Sequence, residues 1–287
     1  MKHQGQQQEN STRRVTKRHY SLDARMPADD IVAVEAPLLI VIATKEQLLE
    51  LATIMRTPGD DVPLSLGFLF SEHIITSKDD VLDVKHSDPN EITISLAEHV
   101  VVDDKYQSRQ FTSYSGCGIC GKSSIKQLAL KATREISRDQ HWLPFDRLIE
   151  AAQELRAHQH LFQQTGSVHG AALLTLSNSM FSFIDCKEDV GRHNAVDKLI
   201  GKHLLTAQNR NCILLLSGRI SFELVQKAVM AGVCTIAAIG APSSLALETA
   251  KQFDLTLIGF ITAKQANIYC GDWRLSPMTV ENSDGKT

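Results

Sequence analysis

Apolar residues come in short blocks along this chain, and two rhythms divide it. Ile31 to Thr44 is a run of Val, Ile, Leu and Ala interrupted by Glu35 and Pro37, a pattern that predicts two short strands. Gln47 to Met55 fits either a helix or the return strand of a hairpin turning at Thr44-Lys45-Glu46. Thr57-Pro58-Gly59-Asp60-Asp61 is turn chemistry, with Asp60 or Asp61 placed to cap a helix. Val62 to Ile75 reads as that helix, with Leu66, Phe68, Leu69 and Phe70 on its apolar face, and Glu91 to Leu96 and Arg109 to Tyr114 are strand-like. This first part is a small α+β unit.

The rhythm changes near residue 115, where a domain boundary is expected. Ser123 to Ile136 and Phe145 to His158 have helical spacing. His169 to Leu176 and Met180 to Cys186 flank Ser177-Asn178-Ser179 as a hairpin. Then helices (Asn194 to Leu205, Ser221 to Ala231, Ser244 to Gln252) alternate with strands (Cys212 to Ser217, Cys234 to Ile239, Leu255 to Ile261). Unbroken apolar strands between helices predict an α/β sheet covered on both faces. The expected domains are a tail over 1–28, a small α+β domain over 29–115 and an α/β domain over 116–287.

Composition narrows the class. The chain has 287 residues, 43% apolar and 22% charged, with a net charge of -3. That is globular usage, with no global basic field to hold nucleic acid. No apolar run is long enough to cross a bilayer, so no membrane association is expected. The N-terminus is basic and lacks an apolar stretch, which excludes a secretory signal and reads as a disordered, solvated tail. Of the six cysteines only Cys117 and Cys120 are neighbours; Cys186, Cys212, Cys234 and Cys270 are scattered and suit a core. This usage points to a reducing, cytoplasmic compartment, where Cys-x-x-Cys is catalytic or metal-binding.

The pair sits in Tyr114-Ser115-Gly116-Cys117-Gly118-Ile119-Cys120-Gly121-Lys122-Ser123. So much glycine suits a tight, open loop. A thiol beside Lys122 at the start of a helix is expected to ionise readily and act as a nucleophile. Four chemistries compete for the loop. A structural zinc site needs four ligands, and no second Cys-x-x-Cys or His pair supplies them, so no metal is expected. A zinc deaminase needs His-x-Glu and Pro-Cys-x-x-Cys; both are missing. Gly116 to Ser123 satisfies the P-loop pattern, and Phe181-Ser182-Phe183-Ile184-Asp185 resembles a Walker B strand, but the residues before Gly116 are half polar rather than a buried strand. The fourth is sulfur chemistry, by dithiol redox or persulfide transfer.

Three further segments join a strand end to a helix start. Glu188 to Leu199 carries Arg192 and His193, placed to hold an anion. Ser217-Gly218-Arg219-Ile220-Ser221 and Gly240-Ala241-Pro242-Ser243-Ser244 have the same position. In an open α/β sheet such ends line the ligand rim, and together they suit a large anionic ligand. His169, at a strand start, is equally a structural or a ligand histidine.

These segments in this order resemble the formate dehydrogenase accessory sulfurtransferase family, FdhD. The resemblance runs from about residue 30 to about 270. It rests on Pro58-Gly59-Asp60-Asp61 with Gly67-Phe68 and Ser71-Glu72, the cysteine loop, Thr165 to Leu173, Glu188 to Gly201, Ser217 to Ala228, Ala241 to Ala246 and Leu257 to Tyr269. It implies a cytidine-deaminase-like three-layer core beside a smaller N-terminal domain. It implies a homodimer that takes persulfide sulfur from a cysteine desulfurase and passes it to the molybdenum (or tungsten) bis(molybdopterin guanine dinucleotide) cofactor of the formate dehydrogenase catalytic subunit. By the resemblance Cys117 bears the persulfide and Cys120 relays it. Ile261, Thr262, Ala263, Lys264, Gln265 and Ala266 match the cofactor segment, with Arg192, His193 and Arg219 beside it. Departures are His73 where glycine is common, Ser167 where a small glycine-like residue is usual, and a cofactor segment with one cation, Lys264, which leaves its phosphate contacts to the backbone.

Overall fold

A computed structural model describes residues 11–20, 25–102, 134, 136–177, 180–205 and 211–277. The cysteine loop, with Cys117 and Cys120, lies outside the described residues, as do the expected strand Arg109 to Tyr114, nearly all of the expected helix Ser123 to Ile136 and the boundary at 115.

The first finding corrects the tail. β1 (Thr12–Tyr20) and β2 (Arg25–Ala33) form an antiparallel ribbon in register Thr12↔Ala33 to Tyr20↔Arg25. Composition hides this because strand β1 is mostly charged. A complete backbone ladder and the Lys17–Asp30 pair at 2.7 Å hold it instead.

β3 (Ala36–Ala43), β4 (Leu48–Arg56), β5 (Val81–Asp88) and β6 (Glu91–Leu96) form a four-stranded sheet in the order β4-β3-β6-β5. The ambiguous segment after Thr44 is therefore the return strand. Leu51, Ala52 and Ile54 of β4 join the core, and Thr44 Oγ1 organises the turn by accepting from Glu46 and Gln47 N–H at 3.3 and 3.2 Å. β5 carries so few buried apolar residues that periodicity does not mark it.

α1 (Asp61–Ser71) starts as expected, but Asp60 caps it with no side-chain bond. Asp60 instead accepts from Lys187 Nζ at 2.9 Å, and Asp61 pairs with buried Arg56 at 2.9 Å. The helix stops four residues earlier than its apolar face suggests. Ile74 N–H donates to Leu69 O and His73 N–H to Phe70 O, both at 2.9 Å, with His73 at φ 61°. That is a Schellman ending, whose left-handed position glycine takes most readily.

The second sheet has six strands. β7 (His169–Ser177) and β8 (Met180–Asp189) make the expected hairpin. β9 (Cys212–Leu216), β10 (Thr235–Ala238) and β11 (Thr256–Gly259) run parallel to one another, and β12 (Asn267–Cys270) adds an antiparallel edge, in the order β12-β11-β10-β9-β7-β8. α2 (Phe145–His158) is followed by the short α3 (His160–Thr165). α4 (Arg192–Leu199) runs on as a π-helical turn over Ile200–Leu204, and α5 (Phe222–Ala231) and α6 (Ser244–Gln252) follow.

Strict alternation along the central strands feeds two cores. Ala171, Leu173, Leu214, Leu216, Ile236, Ala238 and Leu257 face one cluster, with α4, α5 and α6. Ala172, Leu174, Ile213, Leu215, Ala237 and Ile258 face the other, with Leu148, Ile149 and Leu155 of α2. The sheet is thus covered on both faces, which is why its strands read as unbroken apolar runs. The first cluster continues through α1 into Leu38, Ile40, Ile92 and Ile94, so the smaller sheet shares one core with the larger. α1 crosses α4 and its π-turn at glycines: a Cβ on Gly67 would lie 2.0 Å from Asp197 O, and one on Gly201 1.9 Å from Pro63 O.

Candidate anion site on the sheet rim

The block Glu188 to Lys198 has an inward and an outward set of residues. Asp189 is fully buried at the end of β8. It accepts from Gly191 N–H and Asn194 Nδ2 at 2.9 Å and from Thr57 N–H at 3.1 Å, and it pairs with Lys198 at 2.8 Å. Lys198 also donates to Thr57 O at 3.0 Å, and Asn194 to Met55 O at 2.8 Å. Glu188 holds the start of α3 by accepting from Leu161 and Phe162 N–H, each at 2.8 Å. The acids of the motif are therefore fasteners. They fix the loop from which Arg192 and His193 emerge.

His193 Nε2 is 3.0 Å from both Ser221 Oγ and Glu223 Oε2. That hydrogen bond, ahead of the opposing effect of burial, holds the Glu223 carboxyl below its ordinary range. Arg192 Nε is buried without a hydrogen-bond partner among the described residues. Arg219 follows β9 at the same end of the sheet, and His169 opens β7 there, opposite Asp189. Burial, and then the charges of Arg192, Arg219 and His193, push the His169 imidazole below its usual pKa; Asp189 offsets this in part. The structure thus places Arg192, His193 and Arg219 at the same sheet end as His169, with the His193–Ser221 contact joining the start of α4 to the loop after β9.

Backbone continues the rim toward β11. Ser217 Oγ accepts from Gly170 N–H at 2.9 Å, Gly240 N–H donates to Gly218 O at 3.2 Å, and Phe260 N–H donates to Gly240 O at 3.1 Å. A Cβ on Gly240 would lie 2.6 Å from Gly218 O, so this close stacking of strand ends requires glycine there. Beyond it Ile261 is buried, while Thr262, Ala263, Lys264 and Gln265 are exposed and Ala266 is half-buried. They form a compact turn: Thr262 N–H donates to Gln265 O at 2.8 Å, and Thr262 Oγ1 accepts from Lys264 and Gln265 N–H at 3.4 and 3.3 Å. Three of the amides expected to serve phosphate, those of Thr262, Lys264 and Gln265, are therefore already engaged. A shallow cleft of about 210 Å³ lies beside the turn, lined by Ala152, Gln153, Arg156, Ile239, Ile261 and Thr262. Phe260, at φ 54°, and Ile239 are each nearly half exposed at this end. At a strand spacing of about 4.8 Å, the β11 end is about 10 Å from the β9 end.

Sequence reasoning placed Ser221 in the rim loop without its partner His193, left the role of His169 open and missed Glu223; Ser-Phe-Glu after Gly-Arg-Ile was the available signal. The Walker B reading of β8 is not supported, because Asp185 accepts from Lys202 at 2.7 Å and His203 at 2.8 Å. Among the described residues no three His, Cys, Asp or Glu side chains converge as a metal site, and no helix is long and apolar enough to cross a membrane.

The sequence profile of the FdhD/NarQ family matches residues 33–276. A protein named sulfur carrier protein FdhD from Sulfolobus acidocaldarius is 40% identical over 85% of this chain and 91% of the relative. One of the same name from Streptomyces avermitilis is 38% identical over 92% of this chain and 96% of the relative. A crystal structure assigned as a formate dehydrogenase accessory protein from Desulfotalea psychrophila superposes with a TM-score of 0.71 at 25% identity, covering 92% of this chain and 99% of that one. The profile covers both sheets and every rim segment described above, and the chain belongs to the FdhD/NarQ family.

Proposed function

We propose that this chain is a sulfur carrier for formate dehydrogenase, built on a deaminase-like core. Cys117 takes sulfur from the persulfide of a cysteine desulfurase. Its thiolate attacks the outer sulfur, a new S–S bond forms at Cys117, and the donor leaves as a thiolate. Cys120 can receive that sulfur by the same exchange. The acceptor is the molybdenum or tungsten bis(molybdopterin guanine dinucleotide), a substrate carried on the rim and delivered to the dehydrogenase. Arg192 and Arg219 hold its phosphates, and the turn 261–266 with the adjoining cleft takes a part further along.

The observation that carries this reading is the convergence of Arg192, His193 and Arg219 at one sheet end, with Arg192 Nε buried and unpartnered. A buried donor without an acceptor is costly, and an anion removes that cost. The sulfur-carrier names of relatives matching most of the chain support the same direction.

The test separates carrying from holding. Cys117→Ala is expected to abolish activation of formate dehydrogenase while binding guanosine diphosphate normally. Arg192→Ala with Arg219→Ala is expected to lose that binding while still accepting sulfur. Full activation by a chain without Cys117 and Cys120 would leave a cofactor chaperone as the function.

A further inference from the structure

His169 opens β7 opposite Asp189, at the sheet end that carries Arg192, His193 and Arg219. Its ring lies against the Ser217–Arg219 turn: a Cβ on Gly218 would be 3.2 Å from His169 Nδ1. Arg192 and His193, the first residues of α4, and Arg219, in the loop after β9, are the cations that act on it, and His193 Nε2 lies 3.0 Å from Ser221 Oγ, joining the two segments. Asp189 is the acid that faces it, and that carboxylate is taken up by Lys198, Asn194, Gly191 and Thr57. His193 is taken up by Ser221 and Glu223. Among the described residues neither Arg192 nor Arg219 forms a salt bridge, and Arg192 Nε has no acceptor. The site therefore sets three cations beside the acids Asp189 and Glu223, and burial, then the charges of Arg192, Arg219 and His193, hold the His169 imidazole below its usual pKa.

We propose that His169 is a proton-linked ligand of this site: it takes up a proton as a diphosphate group enters between Arg192 and Arg219, and it donates a hydrogen bond to that group. The inference rests on reading the rim as the phosphate end of a guanine dinucleotide site. The reason is a reversal of field. In the free protein burial and then the neighbouring charges disfavour imidazolium; a bound diphosphate brings opposite charge into the same space and favours it. The proton comes from solvent, and no heavy-atom bond changes. Binding then tightens as pH falls, so acidity favours holding the cofactor and alkalinity favours release.

The test is calorimetric titration of the full chain with guanosine diphosphate at about pH 6 and about pH 8, in buffers of different ionisation enthalpy. Each experiment reads affinity and protons taken up. Wild type is expected to take up a fraction of a proton beyond the ligand's own uptake, with affinity rising by up to about tenfold per pH unit lowered. His169→Asn is expected to bind at high pH and lose that extra uptake, and His169→Gln, a second neutral replacement, to behave alike. Unchanged uptake in both variants, or pH-independent wild-type binding, would overturn the proposal. No binding at either pH would overturn the reading of the rim itself, and the proposal with it.

Discussion

Asp189 and Arg192 are three residues apart and face opposite demands. The first is sealed in the protein with every oxygen engaged; the second keeps a buried donor open. Asp197 belongs with the first kind. It accepts from Lys227 at 2.7 and 2.9 Å and from Ser71 at 3.0 Å, joining α4 to α5 and α1. Asp197→Ala strands the Lys227 ammonium in the core and is expected to cost about 3–5 kcal/mol in urea unfolding. Asp80 links acidity to stability. Burial pushes its carboxyl up, but bonds from Thr76, Ser77 and His99 outweigh burial and leave it below the ordinary value. A depressed folded pKa stabilises above the unfolded value, near 4, and that contribution is lost as pH falls through the folded value. Asp80→Asn is therefore expected to flatten the stability profile below about pH 4, measured by thermal melts across acid pH. The roles of Asp189 and Asp197 were hidden in the sequence, because a carboxylate in a motif looks the same whether it fastens backbone or meets a ligand.

Among the elements, the strands and helices of the large sheet stood out because burial on both faces leaves them uniformly apolar. Phe145–His158 and Glu91–Leu96 match their expected bounds residue for residue. What stayed hidden is held by pairing. The β1–β2 ribbon gains its order from a ladder and a cross-strand ion pair, β5 and β12 are edge strands with little buried surface, and the end of α1 is set by backbone bonds. That ending invites a test. His73 adopts a left-handed conformation that costs a non-glycine residue about 1 kcal/mol. His73→Gly is expected to raise stability by up to about 1 kcal/mol, read as a shifted denaturant midpoint at constant slope.

For the whole molecule, one shared core sets the fastening of the rim. The smaller sheet presents Met55 and Thr57 to the Glu188–Lys198 block, so the loop carrying Arg192 is held by both parts. The sequence showed the rim segments but not this brace, since its partners are more than a hundred residues apart. The central claim is that sulfur travels on Cys117. Its direct test is intact-mass spectrometry of the full chain after incubation with a cysteine desulfurase and cysteine. The account predicts a reductant-sensitive gain of one sulfur atom that is absent from Cys117→Ala. A chain that gains no sulfur while folded and binding guanosine diphosphate, or a Cys117→Ala variant that loads as wild type does, would contradict it.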